Sequence, residues 1–107
     1  MTVIDIAPPS GISQPAPNIV RLTGEIDIFT SEALRRRLLG ALRSTVGSLV
    51  VDLSEVSFCD ASGLAVLVGV QHRARARGVA FALRSPRPQM SRVLRITGLD
   101  RSLPITI

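Results

Sequence analysis

Two apolar runs set almost end to end constrain this chain more than any other feature of its sequence. Leu49-Val-Val-Asp-Leu53 is short, nearly continuous and branched at Cβ, the pattern of a strand covered on both faces. Ala61 to Val70 is interrupted by Ser62 and reads as a core helix, about half the length a bilayer crossing needs. Ser54 to Asp60, between the two runs, reads as a short polar loop. A buried strand that passes through a loop into a core helix is the repeating unit of an α/β fold with a largely parallel sheet.

The flanking segments continue the alternation. Ile19-Val-Arg-Leu-Thr23 alternates as a strand and stops at Gly24. Thr30 stands where a helix N-cap is needed, Glu32 falls in the first turn, and Phe29 and Leu34 occupy the two positions of a hydrophobic staple. Leu34, Leu38, Ala41 and Leu42 make an apolar stripe that leaves Arg35, Arg36 and Arg43 toward solvent. The helix from about Ala61 carries Leu64, Leu67, Val68 and Gln71 on one side. Arg73, Arg75 and Arg77 lie near its end, and Gly78 supplies the stop. Val79 to Leu83 is the next strand. Ser85 and Pro86 then read as cap and first helical residue, with Pro88 in the first turn and Met90, Val93, Leu94 and Thr97 at helical spacing up to Gly98. Leu103 to Ile107 suits a last short strand. Val3-Ile-Asp-Ile6 suits an edge strand, and the Pro-rich stretch from Ala7 to Pro17 a loop outside any ladder. No repeat or boundary divides residues 1–107, which reads as one domain large enough to need neither disulfides nor metal.

Composition removes several chemistries. A single cysteine, Cys59, and a single histidine, His72, leave no disulfide and no Cys- or His-based metal site. All 13 basic residues are arginine, so no lysine can form a Schiff base or complete a Walker loop. His72 would have to be the base of any serine hydrolase, but on the same helix it lies about 15 Å from Ser62. The Gly-x-Ser-x-Gly elbow is absent as well. The net charge of +5 invites a nucleic-acid reading through Arg35, Arg36, Arg37 and Arg43, or Arg73, Arg75 and Arg77. No binding motif accompanies them and there is no Tyr or Trp to stack on bases, so an arginine-bearing solvent face or an acidic protein partner explains them better. No membrane-spanning run or basic-headed signal is visible, and a cytoplasmic location is expected.

Among the residues that could serve binding or modification, Ser62 stands out by its place at the start of a helix. One hydroxyl at the first turn of a helix is placed where unpaired amides and the helix dipole favour a phosphate. A serine that merely lines the turn is the plainer alternative. Asp60 is positioned to cap the helix through the amides of Ser62 and Gly63. Gly63 leaves either room for an approaching enzyme or relief from crowding against the sheet. Cys59 reads as a small core residue rather than a reactive thiol.

The pattern Asp52-Leu-Ser-x-Val-x-Phe-x-Asp-x-Ser-Gly-Leu64, together with Gly24-Glu-Ile-Asp-Ile-Phe-Thr30 and Gly98-Leu99, resembles the STAS domains of bacterial anti-sigma factor antagonists. The resemblance implies a single STAS domain, a mixed but mostly parallel sheet with packed helices. It implies that Ser62 is phosphorylated by a partner kinase, and that Asp27, Thr30, Asp60, Gly63 and Leu64 shape the site or contact the partner. Ala61 stands where relatives often have a second serine, which leaves one hydroxyl at the helix start. The implied partners are an anti-sigma factor serine kinase, which supplies ATP and magnesium, and a phosphatase. The chain itself is then no enzyme, needs no cofactor or metal, binds no nucleic acid directly and does not insert into a membrane. A STAS module serving another assembly, such as a stressosome-like scaffold or a lipid-transport accessory subunit, is the alternative.

Overall fold

The structure, a computed structural model, describes residues 16–106. Four strands, β1 (Asn18–Ile26), β2 (Ser48–Cys59), β3 (Ala80–Arg84) and β4 (Ile105–Thr106), form one sheet in the order β1-β2-β3-β4. Every pairing in it is parallel. Helices α1 (Ser31–Arg43), α2 (Ala61–Ala76) and α3 (Pro88–Thr97) make the crossovers, and a single 3-10 turn, Leu99–Arg101, follows α3. The α/β architecture is as expected. The edge strand read at Val3–Ile6, most of the Ala7–Pro17 loop and Ile107 lie outside the described residues.

The strand order explains the position of the core. Connections that step across a sheet in one direction, with right-handed crossovers, place all their helices on one face. Val20, Leu22, Leu49, Val51, Leu53, Phe81 and Leu83 are buried on that face with Leu38, Leu42, Leu67 and Leu94 of the helices. The expectation that β2 is covered equally on both faces is corrected: Leu49 and Val51 are fully buried, but Val50 between them is only half-buried. Alternation along the strand separates the two faces.

Asp52 shows how the other face tolerates a carboxylate at 2% exposure. Its Oδ1 accepts the Ser54 amide at 2.9 Å. Its Oδ2 is paired with Arg84 Nη2 at 3.1 Å and Arg21 Nε at 3.7 Å, in cross-strand register on either side. These bonds from Ser54, reinforced by the two guanidinium groups, hold the Asp52 carboxyl below its ordinary value of 3.8 against the opposing effect of burial. A depressed folded-state pKa gives stability that is present above 3.8 and lost as pH falls through the lower folded value. Asp52→Asn is therefore expected to be less stable than wild type at neutral pH by about 1.5–3 kcal/mol, the worth of hydrogen bonds to a charged group. Urea titrations at stepped pH should show that gap narrowing below pH 3.8. A gap that stays constant would refute the assignment.

Three boundaries differ from the sequence reading, each for a local reason. β1 does not stop at Gly24, because Gly24 takes φ +81° between two register shifts and the strand continues through this irregular stretch to Ile26. β2 correspondingly continues through the segment read as a loop, pairing Glu55 to Cys59 with β1. β3 pairs only as far as Asp52, so among the described residues this half of β2 has a strand on one side alone and accommodates polar residues. α3 starts at Pro88, not Pro86: the residue before a proline is driven out of the helical region, and Arg87 is extended at φ −65°, ψ 157°.

Candidate functional site

The lengthened β1 and β2 end side by side, and their ends build the site. Ile26 pairs with Cys59 in the last register position, and the Asp60 amide donates to the Ile26 carbonyl at 3.0 Å. Asp60 is thereby held in extended backbone (φ −93°, ψ −173°) as the N-cap of α2, as expected. Its Oδ1 accepts the amides of Ser62 at 2.9 Å and Gly63 at 3.2 Å, and the Ser62 hydroxyl at 2.5 Å. The Leu64 amide starts the helical ladder on the Asp60 carbonyl at 3.1 Å. Ser62 is half-exposed, whereas Leu64 is buried, so Leu64 shapes the site from beneath.

The hydroxyl of Ser62, assisted by the amides of Gly63, Ser62 and Ile28, holds the Asp60 carboxyl below its ordinary value of 3.8, with burial opposing. Asp60 is an anion at every physiological pH. The picture of vacant first-turn amides awaiting a phosphate is therefore corrected, because Asp60 already occupies those of Ser62 and Gly63. A phosphate on Ser62 would meet a fixed negative charge and lose the hydroxyl proton that now binds it.

Ile28 ties the second loop to this cap. Asp27 forms its own closed turn: Oδ1 accepts the amides of Phe29 at 2.9 Å and Thr30 at 3.2 Å, while the Asp27 amide donates to Thr30 Oγ1 at 2.9 Å. Thr30 is the N-cap residue of α1, as expected, but its side chain is spent on this turn and makes no cap bond to the helix. The staple is corrected: Leu34 is buried but Phe29 is 91% exposed, since the closed turn points it outward. Ile28 at 70% and Phe58 at 47% are exposed as well. The site thus comprises two carboxylates and one hydroxyl, with exposed Ile28 and Phe29 on the Asp27 turn, while Phe58 lines a groove with Pro88, Met90 and Val93 of α3. Ile26, Ile28 and Phe58 were not singled out from the sequence. The adjacent Ile28-Phe29 pair is the available signal, and the staple reading uses Phe29 alone.

Gly63 settles into the crowding explanation. A Cβ there would stand 2.6 Å from both Cys59 Sγ and Ile26 Cγ2. Burial, with a smaller push from Asp60, raises the Cys59 thiol to about 11, so it stays protonated and inert. Native protein at pH 8 is expected to react with a thiol-specific disulfide reagent far more slowly than urea-unfolded protein. Equal rates would contradict the packing described here. His72 lies on the exposed side of α2, and among the described residues no group of three His, Cys, Asp or Glu could hold a metal. No helix among them is long and apolar enough to cross a membrane.

A family model described as "Mlab, STAS domain" matches residues 13–106. An anti-sigma F factor antagonist of Paenibacillus polymyxa is 34% identical over 81% of this chain and 75% of its own length. An anti-sigma factor antagonist from Mycobacterium paratuberculosis superposes with a TM-score of 0.75 at 28% identity, over 87% of this chain and 79% of that one. The Bacillus cell fate determinant SpoIIAA in its phosphorylated form superposes with a TM-score of 0.64 at 26% identity, over 83% of this chain and 81% of that one.

Proposed function

The chain belongs to the STAS domain family, and from that premise we propose that it is an anti-sigma factor antagonist switched by phosphorylation of Ser62. In this reading the unphosphorylated chain binds an anti-sigma factor serine kinase and releases the sigma factor. Transfer of a phosphoryl group to Ser62 breaks the complex, and a phosphatase restores it. Kinase, nucleotide and metal belong to the partner, and this chain is a regulatory binding protein rather than an enzyme.

The observation that carries the reading is the Ser62 hydroxyl, half-exposed at the start of α2 and bonded to the Asp60 carboxylate. Ser62 Oγ donates to Asp60 Oδ1, and this bond orients the hydroxyl. Ile28 and Phe29 offer exposed apolar surface that a partner would cover, on the turn closed by Asp27 and tied to Asp60. Covering that surface excludes water, and a phosphate of charge about −1.5 to −2 beside Asp60 would then be buried without a counter-ion.

Peptide mass spectrometry on protein isolated from its native host in several growth states tests the reading. A phosphate that maps to Ser62, varies with growth state and disappears in Ser62→Ala supports it. An unmodified Ser62 in every state, and after incubation with the captured kinase and ATP, rejects it in favour of a constitutive STAS module. A phosphate on Ser54 or Ser57 instead would reject the site assignment.

A further inference from the structure

We propose that the groove between α1 and α2 seats an acidic amphipathic helix of the protein partner. This extends the binding-protein reading above, on which it rests, by naming the chemistry of the docking element. The groove encloses about 340 Å³ and is lined by Leu39 of α1 and by Ala65, Val66 and Gly69 of α2, with Arg35 and Arg73 at its margins. On α1, Arg35 precedes Leu39 by one turn. On α2, Gly69 follows Ala65 by one turn and Arg73 follows Gly69 by another, so each set shares one helix face. Each helix therefore contributes one arginine to the groove, a turn away from its own nearest apolar or small lining residue.

The glycine is the unusual member. Gly69 sits mid-helix, where glycine is the least favourable residue apart from proline, and a Cβ added there would meet nothing within 4 Å. Gly63, on the same helix, is required by its neighbours; Gly69 is required by nothing among the described residues. Its use is intelligible if something outside approaches the α2 backbone closely, as small residues allow between packed helices. Charge selects the occupant. Arg73 has no ion-pair partner among the described residues, and Arg35 has only Glu32 at 4.0 Å, shared with Arg36. An apolar groove with an arginine from each helix fits a helix with a leucine- or alanine-rich face and glutamates or aspartates on its flanks. Ala65 lies within a turn of Ser62, so the end of that helix would feel a phosphate on Ser62 directly.

The test uses a defined probe and needs no kinase. A blocked amphipathic peptide of about five helical turns, with leucines on one face and glutamates on both flanks, is titrated into the isotopically labelled full chain, and a lysine-flanked version serves as control. Amide shifts are expected at Arg35, Leu39, Ala65, Gly69 and Arg73, with the lysine peptide weaker by about tenfold or more. Gly69→Ala should melt higher than wild type because it gains helix propensity, and yet bind the peptide more weakly. Gly69→Leu should stay folded and lose the peptide. Equal binding of both peptides, shifts centred elsewhere, no shifts at millimolar peptide, or undiminished binding by Gly69→Leu would each overturn the proposal. None of these outcomes touches the mass-spectrometric result at Ser62, so the two ideas fail separately.

Discussion

Ser62→Asp is expected to fold with a melting temperature within a few degrees of wild type and to bind the kinase partner a few hundredfold more weakly. The fold survives because two opposing effects act at one place. A carboxylate in the first turn of α2 gains about 0.3–1 kcal/mol from the helix dipole, while losing the hydroxyl bond to Asp60 and facing its charge. The Asp60 bonds to the Ser62 and Gly63 amides, which hold the helix start, do not use the serine side chain. Binding has no such compensation. A partner that covers Ile28 and Phe29, on the turn tied to Asp60, removes water beside Ser62, and a penalty of about 3–4 kcal/mol corresponds to a few hundredfold in affinity. Calorimetric titration of the purified partner with wild type, Ser62→Ala and Ser62→Asp decides the matter. An aspartate variant with wild-type affinity would end the electrostatic account, and one that fails to fold would show that the serine is a structural residue.

Gly63→Ala is expected to destabilise the fold by steric overlap. The added methyl would overlap Cys59 Sγ and Ile26 Cγ2, each at 2.6 Å, at the junction where β1, β2 and α2 meet. The Ile26–Cys59 register pair and the Asp60 bond to the Ile26 carbonyl leave little freedom to withdraw. Overpacking of this kind costs about 1–3 kcal/mol, or roughly 4–8 °C of melting temperature per kcal/mol in a domain approaching this size. Cys59→Ala removes one of the two obstructing atoms. The double variant should therefore recover part of the loss, a coupling that independent sites would not show. Strictly additive effects would mean that the crowding is relieved elsewhere. Partner binding by the folded fraction also reports whether the α2 start has tilted away from the Asp27 turn.

How much of this was legible in the sequence depended on whether a signal was local. Asp60 as the cap of α2, Gly78 as the stop and the apolar identity of β2 were read correctly because each is decided within a few residues. The half of β2 from Ser54 to Cys59 was read as loop because its alternation is justified only by pairing with β1, some thirty residues away. Phe29 fitted a staple by spacing, but Asp27 closed its turn first and sent the ring to the surface. The start of α3 was legible and was misread: Arg87-Pro88 excludes a helical Arg87, which overrules the cap signal of Ser85-Pro86. The site residues themselves were in the motif. Ile28, Phe29 and Phe58 stand in the same motifs, but their exposure does not show there, because exposure is a property of the packed fold.

The wholly parallel pairing of the described strands also has a consequence for how the molecule is made. There is no hairpin among them: Asn18 meets Leu49, Leu49 meets Phe81 and Leu83 meets Ile105, so each ladder closes only after a helix-length stretch of chain. Long closures of this kind are entropically expensive before they are rewarded, and they slow folding relative to local contacts. On the ribosome, none of these ladders can begin to form until Leu49 has emerged. β2 then serves as the template on which both neighbours assemble, which makes it the segment whose early exposure a cell must tolerate.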